Sequence, residues 1–291
     1  MNSTTTDTPS GSFRGRLVRP IFIVSSPRSG STLLFDTLSR APRLFTIGDE
    51  SHGVIEGIPA FSTAARGWPS NRLDASDALP QPVERLAKAF YTALRDRDGQ
   101  PAAGPARMLE KTPKNALRVP FFDAVWHDSS FVFLYRDVRQ TIASMAEAWQ
   151  SGYFRTYPRL PGWSGLPWSL LLVPGWRALN GLPLAEIIAR QWTTTMDILL
   201  DDLASLDEGR VQAIDYGDFL RSPQQAIDRL AARLDIGWDT KLGAELPLSV
   251  TTVSKPAADK WRAIEHVIES IWPIVEATDA RARAFARVRG A

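Results

Sequence analysis

Eight residues near the start of the chain, Ser25-Ser26-Pro27-Arg28-Ser29-Gly30-Ser31-Thr32, are of the types that hold an anion. Small residues let the backbone curl until successive N–H groups point at one spot. A helix opening near Gly30 adds the positive end of its dipole. Ser29, Ser31 and Thr32 supply hydroxyl donors, and Arg28 supplies a full charge. A loop for a magnesium nucleoside triphosphate needs a lysine directly after the glycine and an earlier glycine at a fixed spacing. Here Ser31 stands in the lysine's place and no first glycine occurs at that spacing. The stretch reads as a phosphate cradle not built for ATP.

A second anion-holding set comes about a hundred residues later. In "FLYRDVRQTIASM", Arg136 and Asp137 close an apolar run. Asp137 with Gln140 makes a helix cap. Ser144 is two turns into that helix, so a ligand lying along it would meet both Arg136 and Ser144.

The elements that must position these residues follow from hydrophobic pattern. Short apolar runs at Ile21–Val24, Met108–Leu109, Phe131–Tyr135 and Val211–Ile214 read as buried strands. Between them, Val83, Leu86, Ala87, Phe90 and Leu94 fall on one helical face. So do Leu184, Ile188, Trp192, Leu199 and Leu203, and later Ile227, Leu230, Ala231 and Leu234. Ser222, Pro223 and Gln225 predict a capping box at the last of these helices. Apolar strands alternating with amphipathic helices predict an α/β fold, a P-loop-like parallel β-sheet flanked by helices. Its ligands belong beyond the carboxyl ends of the strands.

Residues 149–181 differ: Trp149, Tyr153, Phe154, Tyr157, Trp163, Trp168 and Trp176 recur without a period among prolines and glycines. Three readings stand: an insertion that packs on itself, a helical and aromatic lid over an apolar acceptor, and a membrane-surface segment, against which the lack of a lysine-rich polar face counts.

The two anion motifs together resemble the sulfotransferases that use 3′-phosphoadenosine 5′-phosphosulfate (PAPS). "SSPRSGST" is similar to their 5′-phosphosulfate loop, and "YRDVRQTIAS" to their 3′-phosphate motif. "LEKTPKN" resembles the branch that includes the protein-tyrosine sulfotransferases, and the motifs as a set look like a bacterial member close to that group. "IDYGDFLRSP" carries Tyr216 and "LSVTTVSKPAADKW" carries Ser249 and Lys255 at positions that complete the nucleotide pocket in the family. The resemblance implies a sulfotransferase fold, PAPS as co-substrate and PAP as product. A transferring sulfuryl group carries one less negative charge than a phosphoryl group, so no metal and no triphosphate lysine are expected. Arg28, the loop amides and Lys111 are left to stabilise the leaving oxygen. For a base, "IGDESHG" resembles the family's acidic segment, which points to Glu50. His52, two residues on, is the other candidate, because imidazole titrates near neutral pH.

The bulk composition sets limits. With 34 Lys+Arg against 32 Asp+Glu, the net charge of +2 is too balanced for a dedicated nucleic-acid binder. The absence of cysteine excludes disulfides, thiolate metal sites and cysteine nucleophiles. No apolar run reaches the roughly 20 residues of a transmembrane helix. Residues 1–18 are polar and read as a disordered lead-in to one domain over 19–291, with the cytoplasm as the expected compartment. The expected acceptor is a small molecule (a lipid, polyketide or aromatic alcohol). Two rivals remain from sequence: a small-molecule kinase on a P-loop, and a non-catalytic nucleotide-binding module.

Overall fold

The computed structural model describes residues 11–243, 245–247 and 259–290. In chain order the strands are Ile21–Val24 (β1), Leu44–Phe45 (β2), Arg107–Lys111 (β3), Ser130–Tyr135 (β4), Arg155–Tyr157 (β5), Trp168–Ser169 (β6) and Val211–Asp215 (β7). The α-helices are Ser31–Leu38 (α1), His52–Glu56 (α2), Pro80–Ala93 (α3), Val119–Val125 (α4), Val138–Ser151 (α5), Leu184–Ala204 (α6), Tyr216–Arg221 (α7), Pro223–Leu234 (α8) and Glu265–Gly290 (α9).

Five strands form a parallel sheet in the order β2-β3-β1-β4-β7. All four side chains of β1 are buried. Phe22 and Val24 join the core on one face, Ile21 and Ile23 the core on the other, as the two-residue repeat of a strand requires. The chain leaves β1 toward β3 and β2, then crosses to β4 and β7. The order therefore reverses beside β1, where a ligand crevice is expected. The sequence found four of these strands. It missed β2, which has two residues and no readable period, and it cut β3 short. Glu110 and Lys111 are the last two residues of that strand and both are buried.

Three expectations need correction. Residues 11–18 belong to the fold rather than to a loose lead-in: the Ser12 hydroxyl and the Phe13 N–H donate to Glu84 at 2.6 and 2.7 Å, and Leu17 is buried and bridges Ala106. The surrounding polar residues hide these two apolar anchors from a composition count. The capping box at Ser222 does not form, although Ser222 is the N-cap and Pro223 the first helical residue. Its N–H closes α7 by donating to the Asp218 carbonyl at 3.0 Å, so Gln225 has no donor to meet. The aromatic segment contains the antiparallel pair β5–β6, which the missing period concealed. Trp149, Trp163 and Trp176 pack edge-on around the fully buried Trp168, with ring centres 4.8–6.0 Å apart.

Candidate active site

The first loop runs from β1 into α1. Gly30 is the N-cap of α1 with φ +92°, a conformation that costs other residues about 1–2 kcal/mol. A side chain there has no room either, because a Cβ would lie 2.2 Å from the Tyr216 ring. Tyr216 thus forms one wall of the loop. Arg28 also holds a positive φ, +67°, the kind of strain that surrounding structure must over-determine. Its Nε donates to Ser144 Oγ at 3.3 Å, its guanidinium stacks 4.6 Å over Phe154, and its carbonyl accepts from Arg136 Nη1 at 3.0 Å. The Ser26 and Ser29 hydroxyls bond to each other at 2.7 Å beneath the loop.

β4 delivers Arg136, and the Asp137 side chain caps α5 by accepting from the N–H groups of Arg139 and Gln140. Arg136 also donates to Gln140 Oε1 at 3.2 Å and lies 5.0 Å over the Tyr216 ring. The two anion sets, 108 residues apart in sequence, are therefore bonded into one wall. Burial pulls both guanidiniums below their usual pKa, and at Arg28 the mutual repulsion adds to it. Two crowded, partly desolvated cations favour an anion between them.

On the other side of the loop, Lys111 at the end of β3 is nearly sealed, with 4% of its side chain exposed. It donates to Glu50 Oε1 at 2.8 Å and to Thr32 Oγ1 at 3.1 Å. His52 Nδ1 stands 3.7 Å from the second Glu50 oxygen. Burial pushes the Glu50 carboxyl up, but His52 and the Lys111 ammonium outweigh it and hold Glu50 below the usual carboxylate range.

A cleft of about 630 Å³ joins these groups. Arg28, Gly30, Ser31 and Thr32 line it from the loop, Arg136 from the end of β4, Ser144 from α5, and Tyr216 from α7. Glu50 and His52 form the opposite rim. Lys111 and Ser29 lie behind this wall, Lys111 bonded to Glu50 and Thr32, which line it, and Ser29 to Ser26. Ser249 and Lys255 lie outside the described residues. The aromatic segment gives Phe154, Tyr157, Leu170 and Leu171 to the cleft, while its tryptophans pack in the core. The segment thus both packs on itself and lines the cleft. Among the described residues no group of three His, Asp or Glu is arranged to hold a metal, and no helix is long and apolar enough to cross a membrane.

Sequence reasoning missed the buried network beneath the rim. Glu110 accepts from Ser51 Oγ at 2.5 Å, from Thr112 Oγ1 at 2.7 Å and from Asn115 Nδ2. Burial raises its carboxyl above the usual range against these bonds. Asn115 accepts from Arg118, and Arg118 donates to Glu56 at 3.0 Å. The signal was present in "LEKTPKN": a carboxylate and two cations within a run that enters the sheet.

A family model described as "Sulfotransferase family" matches residues 20–165, half of the chain. The chain belongs to the sulfotransferase family. A putative protein-tyrosine sulfotransferase of Caenorhabditis briggsae is 29% identical over 127 residues, 44% of this chain and 42% of its own length. Protein-tyrosine sulfotransferase A of Caenorhabditis elegans is 21% identical over 228 residues, 76% of this chain and 51% of its own length. The chain spans about half the length of these curated relatives. Among solved structures, a sulfotransferase from Alicyclobacillus acidocaldarius is similar at 16% identity and a TM-score of 0.47, covering 92% of this chain and 97% of that one.

Proposed function

We propose that this sulfotransferase-family chain moves a sulfuryl group from PAPS to a hydroxyl or amine of a small acceptor by metal-independent in-line displacement. The observation that carries the reading is the Arg28–Arg136–Ser144 wall, with one guanidinium bonded to the carbonyl of the other's residue. Two separate phosphate-holding sets brought this close suit a donor with a 5′ and a 3′ anion. Arg28, Ser29, Gly30, Ser31 and Thr32 would hold the phosphosulfate end, and Arg136 and Ser144 the 3′-phosphate. Tyr216 would complete the nucleotide pocket, and the family resemblance gives the same role to Ser249 and Lys255, which lie outside the described residues.

Glu50 is the proposed base, ahead of His52. It takes the proton of the acceptor hydroxyl as the oxygen attacks sulfur. The bond between sulfur and the 5′-phosphate oxygen breaks, leaving PAP and a sulfate ester. Lys111 reaches both Thr32 on the loop and Glu50 on the rim, which suits a cation that stabilises charge on the leaving oxygen. The aromatic side of the cleft is the proposed acceptor side, with the residues between 149 and 181 as its cover.

Arg136→Ala tests this. It is expected to weaken PAPS binding far more than binding of adenosine 5′-phosphosulfate, which lacks the 3′-phosphate. Equal weakening of the two donors removes Arg136 from the role.

A further inference from the structure

The cleft has a second carboxylate that the proposed reaction does not use. Glu56 lines it at the end of α2, four residues after His52. That spacing puts both side chains on one helical face, about 6 Å apart along the axis. Three donors converge on a single Glu56 oxygen: Lys114 at 2.7 Å, Arg118 at 3.0 Å and Asn71 at 3.3 Å, all to Oε1. No described residue donates to Oε2, and Oε2 is not among the buried polar atoms that lack a partner. It is therefore open, and Glu56 lines the cleft.

This carboxylate is held rigidly. Arg118 is fully buried and also donates to the Asn71 carbonyl and to Asn115. Asn115 in turn bonds Glu110, which bonds Ser51 at the start of α2. One buried network thus clamps both ends of α2. Lys114 lies 5.0 Å over the Tyr157 ring, so an aromatic wall stands beside the carboxylate. The local charge decides what suits Oε2. Lys114 and Arg118 both pair with Glu56, and an ammonium at Oε2 would stand beside these two fixed cations. The carboxylate oxygen itself repels an anion. A neutral donor remains.

We propose that Glu56 reads the acceptor: its Oε2 accepts a hydrogen bond from a second, uncharged hydroxyl, separate from the hydroxyl that is sulfated. The acceptor class is then a diol or polyol with separated hydroxyls and an apolar or aromatic body, not a monoalcohol or an amine. This rests on the sulfuryl-transfer reading above.

The test incubates the protein with labelled PAPS and an extract of the producing cells, and identifies the sulfated product by mass spectrometry. The acceptor is then made with its second hydroxyl replaced by hydrogen. Wild-type protein is expected to favour the parent over this deoxy analogue about 10- to 100-fold in kcat/KM, mostly through KM, the range for a hydrogen bond to a charged group. Glu56→Gln keeps an oxygen for Lys114 and Arg118 and turns an amide N–H₂ into the cleft. It is expected to lose that factor on the parent and none on the analogue, with PAP stabilisation unchanged as the check on folding. A product without a second hydroxyl, or equal turnover of parent and analogue by wild type, overturns the proposal and leaves sulfuryl transfer standing. No labelled product at all removes the transfer reading and this proposal with it.

Discussion

Glu50 is held ionised by Lys111 and His52 against the pull of burial, and that fixes the sign of its pH effects. A carboxyl whose folded pKa is depressed stabilises the fold above its unfolded pKa and loses that contribution as pH falls through the lower folded value. As the proposed base it would work across the neutral range, so kcat is expected to be flat between about pH 6 and 8, with an acid limb below the ordinary glutamate value of about 4.3. Turnover kept in Glu50→Gln and lost in His52→Ala would transfer the role to His52. At Gly30, alanine is expected to cost about 1–2 kcal/mol for the backbone alone and more for the collision with Tyr216. Loss of PAP stabilisation in Gly30→Ala measured by thermal shift checks this, and retained stabilisation contradicts it. At this scale the sequence was informative wherever chemistry needs an uncommon residue in a small-residue loop, as at Arg28 and Gly30. Glu56 and Arg118 were invisible, because their roles come from convergence on one oxygen across 62 residues.

β3 and α2 meet through Glu110. Glu110→Ala leaves the buried Asn115 amide without this acceptor and the Ser51 and Thr112 hydroxyls with only each other, an expected loss of about 3 kcal/mol read from the urea midpoint. Because Ser51 sits between Glu50 and His52, the same variant is expected to lose about 10²-fold in kcat while PAP binding is kept. An unchanged kcat in folded Glu110→Ala would show that the network does not position the rim. β1 and β4 were legible as apolar runs, and β3 and β7 from two or three apolar residues each. β2 was too short, and β5 and β6 lay in a segment where tryptophans serving the core masked any alternation. The capping box at Ser222 looked sound locally and failed because one N–H cannot serve two helices, a conflict visible only once α7 is known to end there.

For the molecule as a whole, the arrangement of the sheet decides where chemistry occurs: the order reverses beside β1, and the cleft opens at that point. The rival kinase reading predicts stabilisation by ATP with magnesium. Our account predicts it from PAP instead, by about 2.7 kcal/mol at a hundredfold excess over Kd, an upward shift in Tm of several degrees for a chain of this size. The most direct test of the central claim is a single-turnover assay with PAPS labelled in the sulfuryl group, comparing wild type with Glu50→Gln at equal PAPS occupancy. The account predicts label transferred to acceptor one-for-one with PAP released, and transfer slowed about 10²–10⁴-fold in the variant. Label that reaches no acceptor, or transfer at the wild-type rate without the Glu50 carboxylate, would contradict it.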